Sequence, residues 1–228
     1  MLLLCIFALS IDVKAQENLP SYDRQPLRFG FAIGYNYHNL KIYTKPQYSL
    51  TDTLYEIRPV GGPGFNIGIV SNVLLFRYLD LRFTPHLSFV DRQIKYTFAD
   101  PKKNTVRNIE STYVDFPLTL KLRAIRHRNV GFFVVAGARY SFDVISQKKV
   151  EKGEDPFDEA TRKVKLTNQD IALEWGFGWD LYYQYFKFSP EIKFSYGTQD
   201  LFKRESHIYS RPIDQLFSRV VNFTLYFE

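Results

Sequence analysis

The sequence predicts an all-β fold: an eight-stranded antiparallel transmembrane β-barrel with short periplasmic turns at one end and long extracellular loops at the other. Eight segments of the 228-residue chain alternate apolar and polar residues, which is the period of a strand with one apolar face. The connections between these segments alternate between long and short. Mean hydropathy is −0.24, and no apolar run approaches the ~18 residues of a spanning helix. These values exclude a helical membrane protein, whereas a barrel of alternating strands fits them.

The N-terminus has the features of a secretory signal. An apolar stretch from Leu2 to Ile11 is followed by Val13 and Ala15, which occupy positions −3 and −1 of a cleavage site after Ala15. We therefore expect residues 1–15 to be a signal peptide, 16–26 an N-terminal periplasmic segment and 27–228 the outer-membrane β-barrel. A lipid anchor at Cys5 is the alternative, but too few residues precede it to form a leader. Cleavage leaves a mature chain without cysteine, so disulfides cannot stabilise it.

The first predicted strand, LRFGFAIGYNYHNLKI, begins at Leu27. As far as Tyr37 its apolar residues fall on odd numbers, while Gly, Ala and polar residues fall on even ones. The other segments with this alternation are GFNIGIVSNV, LDLRFTPHLSF, STYVDFPLTLKLR, FFVVAGARYSFDV, DIALEWGFGWDLYY, FKFSPEIKFSYG and FSRVVNFTLYFE. Each has at least the roughly nine to eleven residues that cross a bilayer at a tilt, and eight strands close the smallest membrane barrel.

The polar face of these strands favours a membrane barrel over a soluble β-sandwich. It combines Gly and Ala with isolated charges of both signs, namely Arg82, Asp115, Lys121, Arg139, Glu174, Asp180, Glu191 and Lys193. Small residues and opposite charges suit a crowded lumen, where a charge must be paired because it has lost its hydration. The other face is nearly free of charge and rich in Phe, Leu, Ile and Trp, which suits lipid. A soluble lipocalin-like barrel is the alternative, and solubility without detergent would favour it.

The connections predict the orientation in the membrane. Long connections are expected at residues 44–62, 97–108, 146–167 and 200–215, and tight turns at 74–78, 125–129 and 183–185. Short periplasmic turns, long external loops and periplasmic termini are typical of outer-membrane barrels. Pro85, Pro117 and Pro190 lie inside predicted strands, where proline cannot donate a ladder hydrogen bond, so we expect β-bulges or local breaks there.

The chain contains no strong motif for chemistry. None of the four histidines, His38, His86, His127 and His207, forms a pair with the spacing of a zinc site. A Ser–His–Asp arrangement of Ser88, His86 and Asp115 in the lumen stays open, although a hydrogen-bonded network explains the same residues. We predict no catalytic, cofactor-binding or metal-binding residues, no cofactor and no enzymatic activity. The formal charge of +6 comes from interspersed charges of both signs, so nucleic acid is not an expected partner. A barrel of eight strands fills its interior with side chains and leaves no channel, so we expect no small-molecule substrate either.

Four stretches, GPGFNIGIVSN, YLDLRFTPHLSF, IESTYVDFPLTLKLR and YFKFSPEIKFSYG, resemble the PorT family of small outer-membrane β-barrels, found in Bacteroidota with the type IX secretion system. The likeness runs from about Arg28 to Glu228, and it rests on the order and spacing of the stretches together. It implies a non-enzymatic component of that system in the cell outer membrane, which assists export of cargo proteins. The partners that it implies are outer-membrane lipid and translocon or ring proteins, and it supplies no catalytic residues.

Two other functions stay open at the level of sequence. A structural or adhesive eight-stranded barrel of the OmpX/OmpA type would bind partners through its extracellular loops, above all the mixed-charge loop at residues 146–167. A lipid-modifying barrel would act at His86 and Ser88 in the lumen.

Overall fold

The computed structural model describes residues 18–44, 54–98, 105–144, 167–202 and 213–228. Its elements are a 3₁₀ helix at Tyr22–Arg24 and the strands β1 (Leu27–Thr44), β2 (Leu54–Val60), β3 (Gly62–Phe76), β4 (Leu79–Phe83), β5 (His86–Phe98), β6 (Thr105–Arg123), β7 (Val130–Asp143), β8 (Gln169–Tyr182), β9 (Lys187–Gly197) and β10 (Ile213–Phe227). In these ranges, no helix has the length and apolarity needed to cross a membrane.

The ten strands occupy eight positions in one closed antiparallel sheet. β4 and β5 share a position, because both pair with β3 on one side and with β6 on the other. β2 and β3 also share a position, because both pair with β5, β3 along its first half and β2 along its second. β1 pairs with β3 at one edge and with β10 at the other, which closes the ring. The predicted eight-stranded antiparallel barrel is thus confirmed.

The two faces of the strands are those that the alternation predicts. On β1 the outward side chains of Phe29 and Tyr35 are 66 % and 54 % exposed, whereas Ala32 and Asn36 on the inner face are 1 % and 0 % exposed. The same alternation of exposed and buried residues runs along β7 and β8. Apolar side chains cover the outside, so the barrel offers lipid a hydrophobic surface and keeps its charges inside.

Glycine on the inner face allows the sharp curvature of a small barrel. A Cβ atom on Gly137 would lie 2.2 Å from the carbonyl oxygen of Leu118 on β6, and one on Gly176 would lie 2.4 Å from that of Ile192 on β9. Real side chains do not fit at such distances, so the close approach of these backbones requires glycine.

The three mid-strand prolines behave differently from one another. The expected break is confirmed at Pro85, which with Thr84 separates β4 from β5. No β-bulge occurs at Pro117 or Pro190, because β6 and β9 run through these residues without a register shift against β7 and β10. The expected local break is found on the other side of each proline: the pairing of β6 is interrupted at Pro117 between β4 and β5, and the pairing of β9 with β8 skips Pro190. Pro117 lies opposite the break, where its carbonyl accepts a hydrogen bond from the Thr84 amide at 3.2 Å. Pro85 and Pro117 therefore share one interruption of the ladder, and Pro190 lies at a second one, between β8 and β9.

Several strands extend further from the membrane than predicted. The long connections expected at 44–62 and 97–108 are partly wrong, because β2, the end of β5 and the start of β6 lie within them. Along β5 the outward residues change from Leu87 and Phe89 to the exposed Asp91 and Lys95, so this stretch lies beyond the lipid. Pairing of β2 and β6 with β5 supplies the backbone hydrogen bonds that keep it extended.

The turns at the opposite end lie where the sequence predicts them. They connect β3 with β4, β6 with β7 and β8 with β9, although β3 continues as far as Phe76. Most of the loop expected at 146–167 and residues 203–212 of the loop expected at 200–215 lie outside the described residues, and β10 begins within the latter loop at Ile213.

Candidate functional site

Four charged side chains pair at the periplasmic end of the barrel interior. Arg28 Nη2 and Arg123 Nε lie 2.7 and 2.9 Å from the same oxygen of Asp80. Arg123 Nη1 also lies 2.7 Å from Asp23 Oδ1, and Arg28 Nη1 lies 3.7 Å from that oxygen. Asp23 comes from the segment before β1 rather than from the barrel wall. With it, this group has two positive and two negative charges and is neutral.

A second charged group crosses the middle of the lumen. Arg82 Nη1 donates a hydrogen bond to Glu191 Oε2 at 2.8 Å, and its guanidinium lies 4.5 Å from the centroid of the Tyr226 ring. Glu228 follows β10 directly, pairs with Lys187 and lies 3.4 Å from Arg82. All of these side chains are almost completely buried, so the charges neutralise one another instead of being hydrated.

Lys121 and Asp180 form a buried pair beside this group. Lys121 Nζ donates to Asp180 Oδ1 at 2.7 Å, and Ser189 Oγ donates to the same oxygen at 2.6 Å. The ring of Phe133 lies under the ammonium, 3.8 Å from centroid to Nζ. The two charges and the apolar ring fill the cross-section between β6, β7 and β8.

Arg139 organises the interior nearer the extracellular end. Its guanidinium lies 4.0 Å from Asp115, 3.9 Å from Asp170 and 3.7 Å from Glu174, so three carboxylates share one cation. Lys193 Nζ adds a second cation 3.2 Å from Glu174. The lumen charges that the sequence identified thus form ion pairs inside the barrel, most of them between neighbouring strands.

The structure brings His86 and Asp115 of the Ser–His–Asp arrangement together but gives Ser88 a different partner. His86 Nε2 lies 3.1 Å from Asp115 Oδ2, and its Nδ1 lies 2.9 Å from the Thr84 carbonyl oxygen. Ser88 instead accepts a hydrogen bond from Asn36 Nδ2 at 2.7 Å. Because both nitrogens of His86 face acceptor oxygens other than Ser88, this geometry gives the serine no general base.

The other histidines lie apart from this pair. His38 is buried on the inner face and its ring stacks on Tyr113, with 6.1 Å between centroids. His127 is exposed in the turn between β6 and β7, and His207 lies outside the described residues. Within the described ranges, no group of His, Cys, Asp and Glu residues could hold a metal ion.

A small pocket lies inside the barrel near its extracellular end. Residues that line it include His38, Arg92, Tyr113 and Asp170. As the described residues enclose it, the pocket has room for about one water molecule. This space is too small for a small-molecule substrate, so the pocket belongs to the polar packing of the lumen.

A segment before β1 closes the periplasmic mouth of the barrel; we call residues 18–26 the base strap. The amide of Leu74 on β3 donates to the Pro26 carbonyl at 2.9 Å. At the other end, Asn18 Nδ2 donates to the carbonyl of Tyr182 on β8 at 3.0 Å, and the Asn18 amide donates to Asn129, just before β7, at 2.9 Å. In the eight-position ring, β1 lies opposite β7 and β3 lies opposite β8. The base strap therefore crosses the full width of the mouth.

Side chains of the barrel also hold the base strap in place. Arg126 donates to the carbonyl oxygens of Asn18 and Leu19, and its guanidinium lies 3.8 Å from the centre of the Tyr182 ring. Tyr182 Oη donates to Asp23 at 2.8 Å, and the ring of Tyr22 packs edge-on against that of Tyr182. Burial, together with the charge of Glu228, raises the pKa of the Tyr22 phenol above its usual range.

The sequence did not reveal the base strap as part of the site. The segment was expected to lie in the periplasm, with no contacts assigned to Tyr22 or Asp23. One signal was present: Arg28 and Arg123 fall at the short-turn ends of their strands, where Asp80 is the one wall carboxylate that pairs with them. A second carboxylate from outside the wall was needed to balance them.

A closed barrel with an apolar outer face, a charged interior and short turns at one end defines an integral outer-membrane β-barrel protein. A family model described as "Outer membrane protein beta-barrel domain" matches residues 14–203, and the chain belongs to this family. The predicted outer-membrane location is thereby confirmed, as is the barrel class, although nothing here distinguishes the PorT family within it.

The chain is also similar, at low sequence identity, to several solved structures. OprG from Pseudomonas aeruginosa is 10 % identical, with a TM-score of 0.48 over 88 % of this chain and 92 % of that one. AlkL, determined in DMPC bilayers, is 11 % identical, with a TM-score of 0.43 over 88 % and 90 %. Ail of Yersinia pestis, in complex with the heparin analogue sucrose octasulfate, is 11 % identical, with a TM-score of 0.38 over 89 % and 99 %. No curated protein matches this chain in sequence.

Proposed function

We propose that this protein is a non-enzymatic scaffold of the type IX secretion system, which assists export of cargo proteins across the outer membrane without carrying them through its own lumen. The observation that carries this proposal is the filled interior. Arg82, Glu191 and Lys121 occupy the middle of the lumen, and the base strap covers its periplasmic mouth. A barrel with this interior acts through its surfaces, so its partners are other proteins of the apparatus.

The type IX assignment is supported by the four stretches that resemble the PorT family, three of which supply charged side chains of this filled lumen. YFKFSPEIKFSYG supplies Glu191 and Lys193. YLDLRFTPHLSF supplies Asp80 and Arg82, and IESTYVDFPLTLKLR supplies Lys121 and Arg123. The expected partners are translocon or ring components of that system.

Deletion of the gene, followed by mass spectrometry of the culture medium and the cell surface, tests the proposal. We expect cargo proteins to accumulate in the periplasm and to disappear from the surface, and we expect a plasmid copy to restore export. Pull-down of the tagged barrel in mild detergent should recover translocon or ring proteins. Unchanged cargo export in the deletion strain would sink the secretion role.

An adhesive or structural barrel is the second candidate function, and one observation favours it. β5 pairs with β2 on one side and with β6 on the other beyond the lipid, where Asp91 and Lys95 are exposed, so part of the wall rises above the outer leaflet. Such a wall can present loops to an external partner. Removal of residues 99–104 should then abolish binding to a surface or ligand. Deletion of the whole gene should leave cargo export intact, which is the reverse of what the first proposal expects.

A further inference from the structure

The periplasmic end of the barrel carries exposed positive charge. Arg24 lies on the base strap, Arg77 lies between β3 and β4, and Arg128 lies between β6 and β7. All three are exposed. Among the described residues of the strap and the three turns, Asp23 is the single acidic residue, and its carboxylate is taken up by Arg123 and Arg28. Glu17, which precedes the strap, lies outside the described residues. We call Arg24, Arg77 and Arg128 the basic patch.

Arg123, which is buried, and Arg126, which is partly exposed, hold the three parts of the basic patch side by side. Arg123 Nη2 lies 3.4 Å from the carbonyl oxygen of Asp23 and 3.3 Å from that of Arg77, so the strap next to Arg24 adjoins the first turn. Arg126 Nη1 donates to the Leu19 carbonyl at 3.3 Å, and its Nε donates to the Arg128 carbonyl at 2.5 Å. The strap therefore also adjoins the turn of Arg128.

The charges of the basic patch are available to a partner. Within the described ranges, no ion pair involves Arg24, Arg77 or Arg128, in contrast to the paired cations of the lumen. Arg77 contacts the Tyr78 ring, with 5.3 Å between its Cζ and the centroid. Neighbouring like charges without counterions attract an anionic partner and weaken the compact state slightly until one binds.

The position of Arg24 argues for a protein partner rather than lipid. The base strap crosses the mouth from the side of β1 to the opposite side of the ring, so Arg24, which ends the 3₁₀ helix of the strap, is held by the segment across the mouth and not by the outer wall that faces lipid. Aromatic side chains such as Phe76 and Tyr185, 71 % and 84 % exposed, occupy the rim where headgroups lie. A single lipid phosphate at the rim cannot contact Arg24 on the strap together with Arg77 and Arg128 in two separate turns, whereas an extended acidic segment can.

We propose that the basic patch is the docking surface for an acidic polypeptide segment on the periplasmic side of the outer membrane. This inference rests on the proposed scaffold role, because it names the class of periplasmic partner that the scaffold holds. Arginine suits the task, since its planar guanidinium binds carboxylates with two parallel hydrogen bonds and stays charged at any physiological pH.

Fluorescence anisotropy with a short fluorescein-labelled oligoglutamate peptide tests the proposal on the full barrel in nanodiscs of phosphatidylcholine. We expect binding that weakens as salt rises. The triple variant Arg24→Gln, Arg77→Gln and Arg128→Gln should bind at least about fivefold more weakly, because each exposed Arg–carboxylate contact contributes modestly. The matched triple variant Arg58→Gln, Lys95→Gln and Arg219→Gln removes the same charge from exposed positions at the other end and should bind as the unaltered barrel does.

Three results would overturn the docking surface. The first is that the unaltered barrel does not bind the peptide in neutral lipid. The second is that both triple variants lose the same amount of peptide affinity. The third is that nanodiscs that contain phosphatidylglycerol displace the peptide completely, which would assign the patch to lipid headgroups. Tryptophan fluorescence of Trp175 and Trp179 confirms that each variant is folded. The peptide measurement does not depend on secretion. Normal export in the deletion strain contradicts the scaffold role. If deletion blocks export but the barrel does not bind the peptide, only the proposed docking surface is contradicted.

Discussion

Lys121 Nζ and Asp180 Oδ1 lie 2.7 Å apart in an interior where neither side chain has more than 2 % exposure, so neither can regain hydration if its partner is removed. We predict that Asp180→Asn lowers the free energy of unfolding by about 3–5 kcal/mol, because it leaves a buried ammonium without its counterion. The double variant Lys121→Met, Asp180→Leu should recover most of that loss. Urea titration in lipid vesicles, followed by the fluorescence of the two tryptophans, measures each change.

Asp91→Asn is the matched control for this prediction. Asp91 is an exposed aspartate on the outer face of β5, and we expect its replacement to change the free energy of unfolding by less than about 0.5 kcal/mol. If Asp180→Asn costs no more than Asp91→Asn, the buried ion pair does not stabilise the barrel.

At the scale of single residues, the sequence predicted which charged side chains face the lumen but not how they pair. The parity of Lys121 and Asp180 along their strands was enough to place both side chains inside. Their distance depends on how the strands curve around the ring, and no local pattern contains that information. Arg82 and Glu191, for example, are 109 residues apart in sequence. For the same reason the sequence left a catalytic pair of Ser88 and His86 possible, and the structure shows instead that each has a different hydrogen-bond partner.

The base strap is the element whose role a single side chain tests most directly. Asp23 pairs with Arg123 and Arg28 and accepts a hydrogen bond from Tyr182. Asp23→Ala should cost about 1–3 kcal/mol, since the site is partly exposed and the loss leaves one excess positive charge on the lumen. We expect faster amide hydrogen exchange in residues 18–26, measured by mass spectrometry, with little change in β7 and β8.

Ser21→Ala provides the comparison within the same element. Ser21 precedes the 3₁₀ helix, is exposed and makes no capping hydrogen bond through its side chain, so its replacement should leave exchange in the strap unchanged. Unaltered protection of residues 18–26 in Asp23→Ala would mean that the carboxylate does not hold the strap in place.

At the scale of the strands, the sequence predicted strand positions well inside the bilayer, where lipid requires every second residue to be apolar. It predicted them less well outside the bilayer, where water surrounds the strands. Inside the bilayer each outward residue must be apolar, which gives β1 and β8 their regular alternation. β2 and the far end of β5 lie beyond the lipid, so the alternation fades and these stretches were expected to be loops. Backbone pairing, which leaves no hydropathy signal, keeps them extended.

On the scale of the whole molecule, closure of the ring determines both what the barrel contains and what it can do. The strand count and the long–short order of connections were enough to predict an eight-position ring, and a ring of that size has an interior that side chains fill. That residues outside the wall also cover the mouth was not predicted, because the one sequence signal, the unbalanced charge of Arg28 and Arg123, does not say which segment supplies the second carboxylate. The base strap makes the periplasmic end a surface rather than an entrance, and the proposed contacts with partners depend on that surface.

The filled lumen predicts that the reconstituted protein conducts no ions. Arg82 lies 2.8 Å from Glu191, and the Lys121–Asp180 pair lies beside them, so the middle of the barrel has no continuous path for water. In a planar bilayer we therefore expect no conductance steps above the baseline, whereas a general porin in the same bilayer gives clear steps. Deletion of residues 18–25 should leave the bilayer silent as well, because this deletion uncovers the mouth without removing the charged groups above it. Steady steps from the intact protein would contradict the filled lumen. Steps from the deletion variant alone would instead identify the base strap as the barrier, and the scaffold proposal would then have to include a channel that the strap holds shut.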